Sequence, residues 1–471
     1  MNRTPRTDAR SFRATTARLL TLLLALTLAA SACTSGSGSE GAAPTITTTD
    51  DDPTETGRGW LDGSPADADA SFGGGDEEAM ATAEGDMAMT TTMASGGEAA
   101  ESADGARVVM EEPIDAGPPR AGSIDDNESF QDYLAYLERI AGLGLPVRAV
   151  DVSTQHRVVV TGTNGLPVAG LPVVVRQGDV EIGSVRTGAD GIALLHPSAM
   201  AGWDGAGQLV AVASGVEVAL DAPTVEIALD QPGGVDGAIA LDVLFLIDAT
   251  GSMGDEIERL KQTVEEVTRR ASALDTPIDL RLALTVYRDE GDAYVSRTFD
   301  FTGDIDSFRQ ALSEVVAEGG GDYPEALDEA LADALTKPSW RNPDTTIQLT
   351  FLLADAPPQV GRQVDQPYDA SMTMAAERGI RIFPIASSDS DDQAEYVFRQ
   401  LAQFTGARFV FLTYGVGGAA LGESSDIESI DYEELPLEDL LVRLIAEELA
   451  DLTGTDVALP PAQSTTTTTE Q

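Results

Sequence analysis

The sequence predicts an α/β fold, a doubly wound and mostly parallel sheet, preceded by a small all-β sandwich and a disordered tether. Three observations predict it. Leu241 to Ile247 is apolar at nearly every position, as in a central parallel strand covered on both faces, and it stops at Asp248. Between 147 and 231 short β-rich runs follow one another, several of them separated by turn signals. From 34 to 122 the chain is mostly Gly, Ser, Thr, Ala, Asp and Glu, with too few aromatic or branched residues to offset the entropy of ordering.

The N-terminal 33 residues read as an export signal. Arg3, Arg6, Arg10, Arg13 and Arg18 precede the apolar stretch Leu19 to Ala30, which is too short to span a bilayer. It ends Ala30-Ser31-Ala32-Cys33, and Cys33 is the single cysteine of the chain, so it has no internal disulfide partner. The tetrapeptide resembles a bacterial lipobox with Ala30 in place of the usual Leu. Lipidation of Cys33 and an exported, membrane-anchored location in the cell envelope are therefore expected. The other reading is ordinary cleavage at Ala30-Ser31-Ala32. The tether carries Met80, Met87, Met89 and Met93, which without His or Cys make a poor soft-metal site. The net charge of −50, from 79 acidic and 29 basic residues, argues against nucleic acid or an anionic membrane surface as a partner.

Residues 123–146 hold a short helix, with Phe130, Tyr133, Leu134, Leu137 and Ile140 at helical spacing, expected to pack on the module that follows. In 147–231 the period changes to two. Runs at 156–161, 171–176, 180–186, 192–195, 208–212, 216–220 and 225–229, with turns at Asn164-Gly165, Ala189-Asp190-Gly191 and Ala222-Pro223, predict an antiparallel β-sandwich. Asn164-Gly-Leu-Pro-Val-Ala-Gly170 and Thr187-Gly-Ala-Asp-Gly191 resemble carboxypeptidase-regulatory-like and bacterial immunoglobulin-like modules, which implies a spacer or adhesive role. His156 and His196, the two histidines of the chain, are expected at the surface as strand-end residues, since metal-binding His comes in clusters.

Residues 232–455 alternate strand and helix. Ile257, Leu260, Val264, Val267 and Leu274 put one apolar stripe on a helix over 255–274. Further strands are expected at 280–286, 347–353, 381–386 and 409–413, a short edge strand near 294–301, and a closing helix at 436–452. A parallel sheet binds ligands beyond the carboxyl ends of its strands, where Asp248, Thr250 and Ser252 offer three hard oxygens at alternate positions. Such oxygens suit Mg²⁺ or Mn²⁺. Asp248-x-Thr250-x-Ser252 resembles the DxSxS signature of von Willebrand factor A (VWA) domains, which opens their metal-ion-dependent adhesion site and implies a Rossmann-like fold. It also resembles the phosphorylated turn of P-type ATPases, but Ala249 stands where those carry Lys. No GxxxxGK[ST] loop is present, and the GxGxxG match at Gly36-Ser-Gly-Ser-Glu-Gly41 lies in the tether rather than between a strand and a helix, as a nucleotide loop would need. The plainest alternative is that Thr250 and Ser252 cap the next helix.

Two more loops resemble the same family. Glu318-Gly-Gly-Gly-Asp322-Tyr-Pro-Glu325 is like the GGGD-x-PE loop of some VWA domains, and Asp355, after the strand 347–353, matches the family's third-loop Asp. The resemblance implies Asp248, Thr250, Ser252, Asp355 and one of Asp322 and Glu325 as the metal set. Asp322 and Glu325 also read as a capping box. The implied function is capture of a protein partner whose Asp or Glu completes the coordination of the ion. A metal-stabilised structural spacer in the envelope and a metal-dependent phosphoryl-transfer enzyme are the alternatives. With no His in the domain and no general base beyond the ligands, an enzyme is not expected, nor a small-molecule substrate. The tail 456–471 reads as disordered, without a sortase motif or a second hydrophobic anchor.

Overall fold

The computed structural model describes residues 119–460 apart from 322, 388–389 and 414–420. Cys33, the tether with its methionines and Asp322 lie outside the described residues. In chain order, β1 (Arg120–Ile124) and α1 (Phe130–Ala141) come first. There follow β2 (His156–Thr161), β3 (Pro172–Gln177), β4 (Val180–Arg186), β5 (Ile192–Leu195), β6 (Leu209–Ala213), β7 (Val216–Ala219) and β8 (Thr224–Ala228). Next are β9 (Ile239–Asp248), α2 (Ile257–Ala271), β10 (Ile278–Tyr287), β11 (Ser296–Thr302), α3 (Ile305–Ser313) and α4 (Leu327–Thr336). The chain continues through β12 (Thr346–Ala354), α5 (Tyr368–Arg378), β13 (Ile380–Ala386), α6 (Asp392–Thr405), β14 (Phe409–Thr413), β15 (Leu435–Pro436) and α7 (Leu437–Thr453).

The main sheet has the order β11-β10-β9-β12-β13-β14-β1-β15. Its five central strands are parallel, and β11 and β1 pair antiparallel with β10 and β14. Period-two alternation along each strand sorts side chains to two helical layers. On one face Val243, Phe245, Ile247, Leu284 and Leu353 pack with α2, α3 and α7; on the other Leu244, Leu246, Ala283, Leu352 and Ile382 pack with α4, α5 and α6. A row of rings, Phe245 to Phe351 at 5.7 Å and Phe351 to Phe383 at 5.3 Å, ties three adjacent strands on the first face.

The N-terminal boundary differs from the sequence reading. β1 begins inside the stretch assigned to the tether, yet Ala121 is fully buried and five residues pair with β14. The strand exists because a neighbour's open edge satisfies its backbone, a cause that its own composition cannot report. α1 likewise joins the α/β unit rather than the module after it. Arg399 of α6 forms ion pairs with Asp126 at 2.7 Å and lies over the Tyr136 ring at 3.7 Å. The seven-stranded module is therefore inserted between β1-α1 and β9 of one α/β unit.

Within the module β5-β2-β8 and β4-β3-β6-β7 form two sheets. It is not wholly antiparallel, because β2 and β8, its first and last strands, run parallel in register from Arg157↔Thr224 to Thr161↔Ala228. The chain thus enters at one end of the module and leaves at the other. His196 is also not at the surface: it is buried, with its ring 4.8 Å from that of Phe404 on α6, because the strand end it occupies is where the module meets the helix.

Candidate functional site

β9 lies between β10 and β12, and the chain crosses from one side of it to the other, so the crevice past the carboxyl ends of β9 and β12 is the topological switch point of the sheet. Asp248 and Asp355 stand there. Asp248 closes β9, and Asp355 follows the last residue of β12.

Three of the expected residues form one hydrogen-bonded chain. The Thr250 backbone N–H and hydroxyl both donate to Asp248 Oδ1, at 2.9 and 2.7 Å, and the Thr250 and Ser252 hydroxyls are 3.1 Å apart. Neither hydroxyl caps a helix. Thr250 precedes the 3₁₀ turn Gly251–Asp255 without a side-chain capping bond, and α2 starts only at Ile257. Asp248 and Thr250 are fully buried while Ser252 is exposed, so the chain of oxygens runs from core to surface.

The second loop is laid against the first by backbone bonds: Glu318 N–H donates to Ala249 O at 3.0 Å and Gly251 N–H to Gly319 O at 3.0 Å. Gly319 and Gly320 adopt positive φ, and a Cβ on Gly320 would stand 2.9 Å from Glu325 Oε1 and 3.3 Å from Thr250 Cβ. The Glu325 carboxylate and the Thr250 side chain thus approach the same glycine. The capping-box reading fails for Glu325, which is buried and donates its N–H to Pro357 O at 2.9 Å in an isolated bridge, two residues ahead of α4. The strand-end loop after β12 claims its backbone before the helix begins.

The electrostatics are those of crowded acids. Burial, with the Asp355 charge next in weight, pushes Asp248 up to about 7. Burial followed by Asp248, Asp289, Asp355 and Asp292 pushes Glu325 up to about 9. The sequence reading missed two contributors. Tyr287, last residue of β10 and paired in register with Asp248, is fully buried with its hydroxyl facing that carboxylate. Asp292 accepts hydrogen bonds from the backbone of Asp289 and Gly320, at 3.2 and 2.9 Å, and so anchors the glycine loop. Their signal was the end of β10, the neighbouring strand, where Tyr287-Arg-Asp-Glu290 interrupts the apolar alternation.

The donor set fits a hard divalent cation: two hydroxyls that cap nothing, and the buried oxygens Asp248 Oδ2 and Glu325 Oε2, which accept no hydrogen bond of ordinary geometry from the described residues. Among the described residues no three His, Cys, Asp or Glu side chains are close enough to cage an ion by themselves. A cation here would therefore draw on the hydroxyls and on water.

A family profile described as von Willebrand factor A domain matches residues 242–414, from β9 to just past β14. This segment is a VWA domain. The chain is 31% identical to the alpha-protein kinase vwkA of Dictyostelium discoideum over 25% of its length and 18% of that protein. It is 38% identical to human von Willebrand factor A domain-containing protein 7, over 20% of this chain and 10% of that one. A putative ariadne-like RING finger protein of Acanthamoeba polyphaga mimivirus matches at 25% identity over 38% of this chain and 19% of that protein. The chain thus spans a fifth or less of the length of these relatives. Proximal thread matrix protein 1 of the mussel byssus aligns over 48% of each chain at 13% identity and a TM-score of 0.29. VWA domains generally mediate protein–protein contacts, and no helix among the described residues is long and apolar enough to cross a membrane.

Proposed function

We propose that this protein is a cell-envelope binding protein, anchored by a lipid on Cys33, whose VWA domain captures a protein partner through Mg²⁺ or Mn²⁺. The observation that carries the reading is the hydrogen-bonded set Asp248, Thr250 and Ser252 at the switch point, with hydroxyls free of any capping role. Thr250 and Ser252 would hold the ion, with Asp248, Asp355 and one of Asp322 and Glu325 acting directly or through water. The ion supplies a Lewis-acidic position that an Asp or Glu of the partner completes.

The chain's own residues do the rest. Asp248 Oδ1 accepts from Thr250 and so turns the hydroxyl lone pairs outward, while Asp292 and Gly320 hold the glycine loop beside them. An octahedral ion bound mainly by neutral hydroxyls stays electron-poor and attracts an outside carboxylate; direct ligation by Glu325 would weaken that pull. The site has no histidine and no general base set apart from these groups, which supports binding rather than catalysis.

Calorimetric titration of Mg²⁺ and Mn²⁺ into the full chain, beside Asp248→Ala, tests the proposal. Fragments starting at 232 are unsuitable because they lack β1. Saturable heat from the wild type and none from the variant is the expected result, followed by partner capture that EDTA abolishes. Equal heat from both, or capture unchanged in EDTA, overturns it.

A further inference from the structure

A cavity of about 370 Å³ opens at the amino ends of β13 and β14, at the other end of the sheet from the VWA site. Its wall is built from the β4–β5 turn and Arg157 of the inserted module, the β1–α1 loop, the C-terminal end of α6, the starts of β13 and β14 and the C-terminal half of α7. Clefts between modules are favoured ligand sites, at volumes of about 300–1,000 Å³. We propose that this cavity binds a small zwitterion, an α-amino acid or a close relative, with its carboxylate on Arg157 and Arg408 and its ammonium on Glu448 and Asp451.

The argument rests on which charges in the wall are already used. Arg381 is saturated, paired with Asp190 of the module at 2.8 Å and with Glu448 of α7. Arg408 is not: its nearest carboxylates, Asp125 and Glu447, lie at 3.8 and 4.0 Å, beyond hydrogen-bond reach, and among the described residues it makes no hydrogen bond. Arg157 has a single long bond, 3.4 Å to Asn127 O, and no ion pair among the described residues. Two guanidiniums with free donor edges facing one cavity are suited to a carboxylate.

The acidic side has its own vacancy. Glu448 is buried, gives one oxygen to Arg381, and its Oε2 accepts no hydrogen bond from the described residues. A buried carboxylate oxygen left this way costs free energy unless a donor arrives. Asp451, one turn further along α7, lines the same cavity and is exposed to it. A ligand with one charge of each sign satisfies both vacancies together, whereas a simple anion or cation satisfies one and is repelled by the other. Apolar Leu194 and Phe404 in the wall would take its aliphatic body.

The experiment is calorimetric titration of the full chain with the common α-amino acids, then with the N-acetyl and amide forms of those that bind. At least one amino acid should bind saturably, and neither blocked form should, since each lacks one charge. Arg408→Gln and Asp451→Asn lie outside the Arg381 cluster, so both should fold, and each should weaken binding by roughly tenfold to a hundredfold. No saturable heat with any amino acid at millimolar concentration overturns the proposal. So does a blocked form binding as tightly as its parent, or both folded variants binding like the wild type.

Discussion

Buried acids occur here in two settings. Around Arg399 they share a cation: buried Asp126 at 2.7 Å and Glu395 at 3.2 Å, with half-buried Asp426 at 2.7 Å, surround one buried guanidinium, and on the central strand Asp242 meets Arg281 at 2.6 Å. At the carboxyl ends of β9 and β12 they do not. The charged groups that act most strongly on Glu325 are all acidic, and the charged group that acts most strongly on Asp248 is Asp355. On the proposed function, the acids around Arg399 have their cation in the chain, whereas those at the carboxyl ends of β9 and β12 would take theirs from outside.

The largest expected effect tests the first setting. Arg399→Met strands three carboxylates without their counter-charge and should cost about 3–5 kcal/mol in urea unfolding. Asp248→Asn in EDTA-treated protein should cost far less or even stabilise, since it relieves repulsion; equal losses from the two variants would erase the distinction. Next in size is the response to metal. Mg²⁺ at a hundredfold excess over its Kd should stabilise the wild type by about 2.7 kcal/mol and leave Asp248→Asn unmoved. A thermal shift of the same size in both would place the ion elsewhere.

A smaller effect probes the loop that joins the two acids. Gly320→Ala forces a side chain into φ 73° and against Glu325 Oε1, so it should cost about 1–2 kcal/mol and weaken Mg²⁺ binding, while Gly321→Ala, with open space around it, should do neither. Matching losses from the two substitutions would show that the loop's close approach to Thr250 is unimportant.

How much was legible in the sequence follows the same physical line. Asp248, Thr250 and Ser252, which the structure joins by hydrogen bonds, stood out in the sequence because a buried strand that ends on an acid is a local pattern, and the seven module strands did so because period-two alternation is local too. What was missed is tertiary. Arg120 to Ile124 has no strand composition; its backbone finds a partner only in β14, and Gly122 is required because a Cβ would fall 2.6 Å from the rings of Phe411 and Tyr432. The capping reading of Glu325 failed for a related reason, since Pro357, distant in sequence, takes its backbone N–H. Tyr287 and Asp292 joined the site only once β10 was known to lie beside β9.

His196 shows a third way to bury an ionisable group, which is to leave it discharged. Burial, against Phe404 where the module meets α6, lowers it to about 3. Because its folded value lies below the unfolded value near 6.5, the unfolded chain binds the extra proton first. Stability contributed by the neutral ring is therefore present above about pH 6.5 and is lost as pH falls toward 3, by about 1.4 kcal/mol per pH unit for one proton. Glu395 and Glu448, both raised to about 7 by burial, act in the opposite sense over the upper part of that window, so the wild-type slope alone is ambiguous. The comparison that isolates the ring is wild type against His196→Gln, by urea unfolding at pH 7, 6 and 5. The gap between them should narrow steadily as the pH drops, and a gap that stays constant would mean the imidazole keeps its proton equilibrium on folding and is not discharged at the module interface.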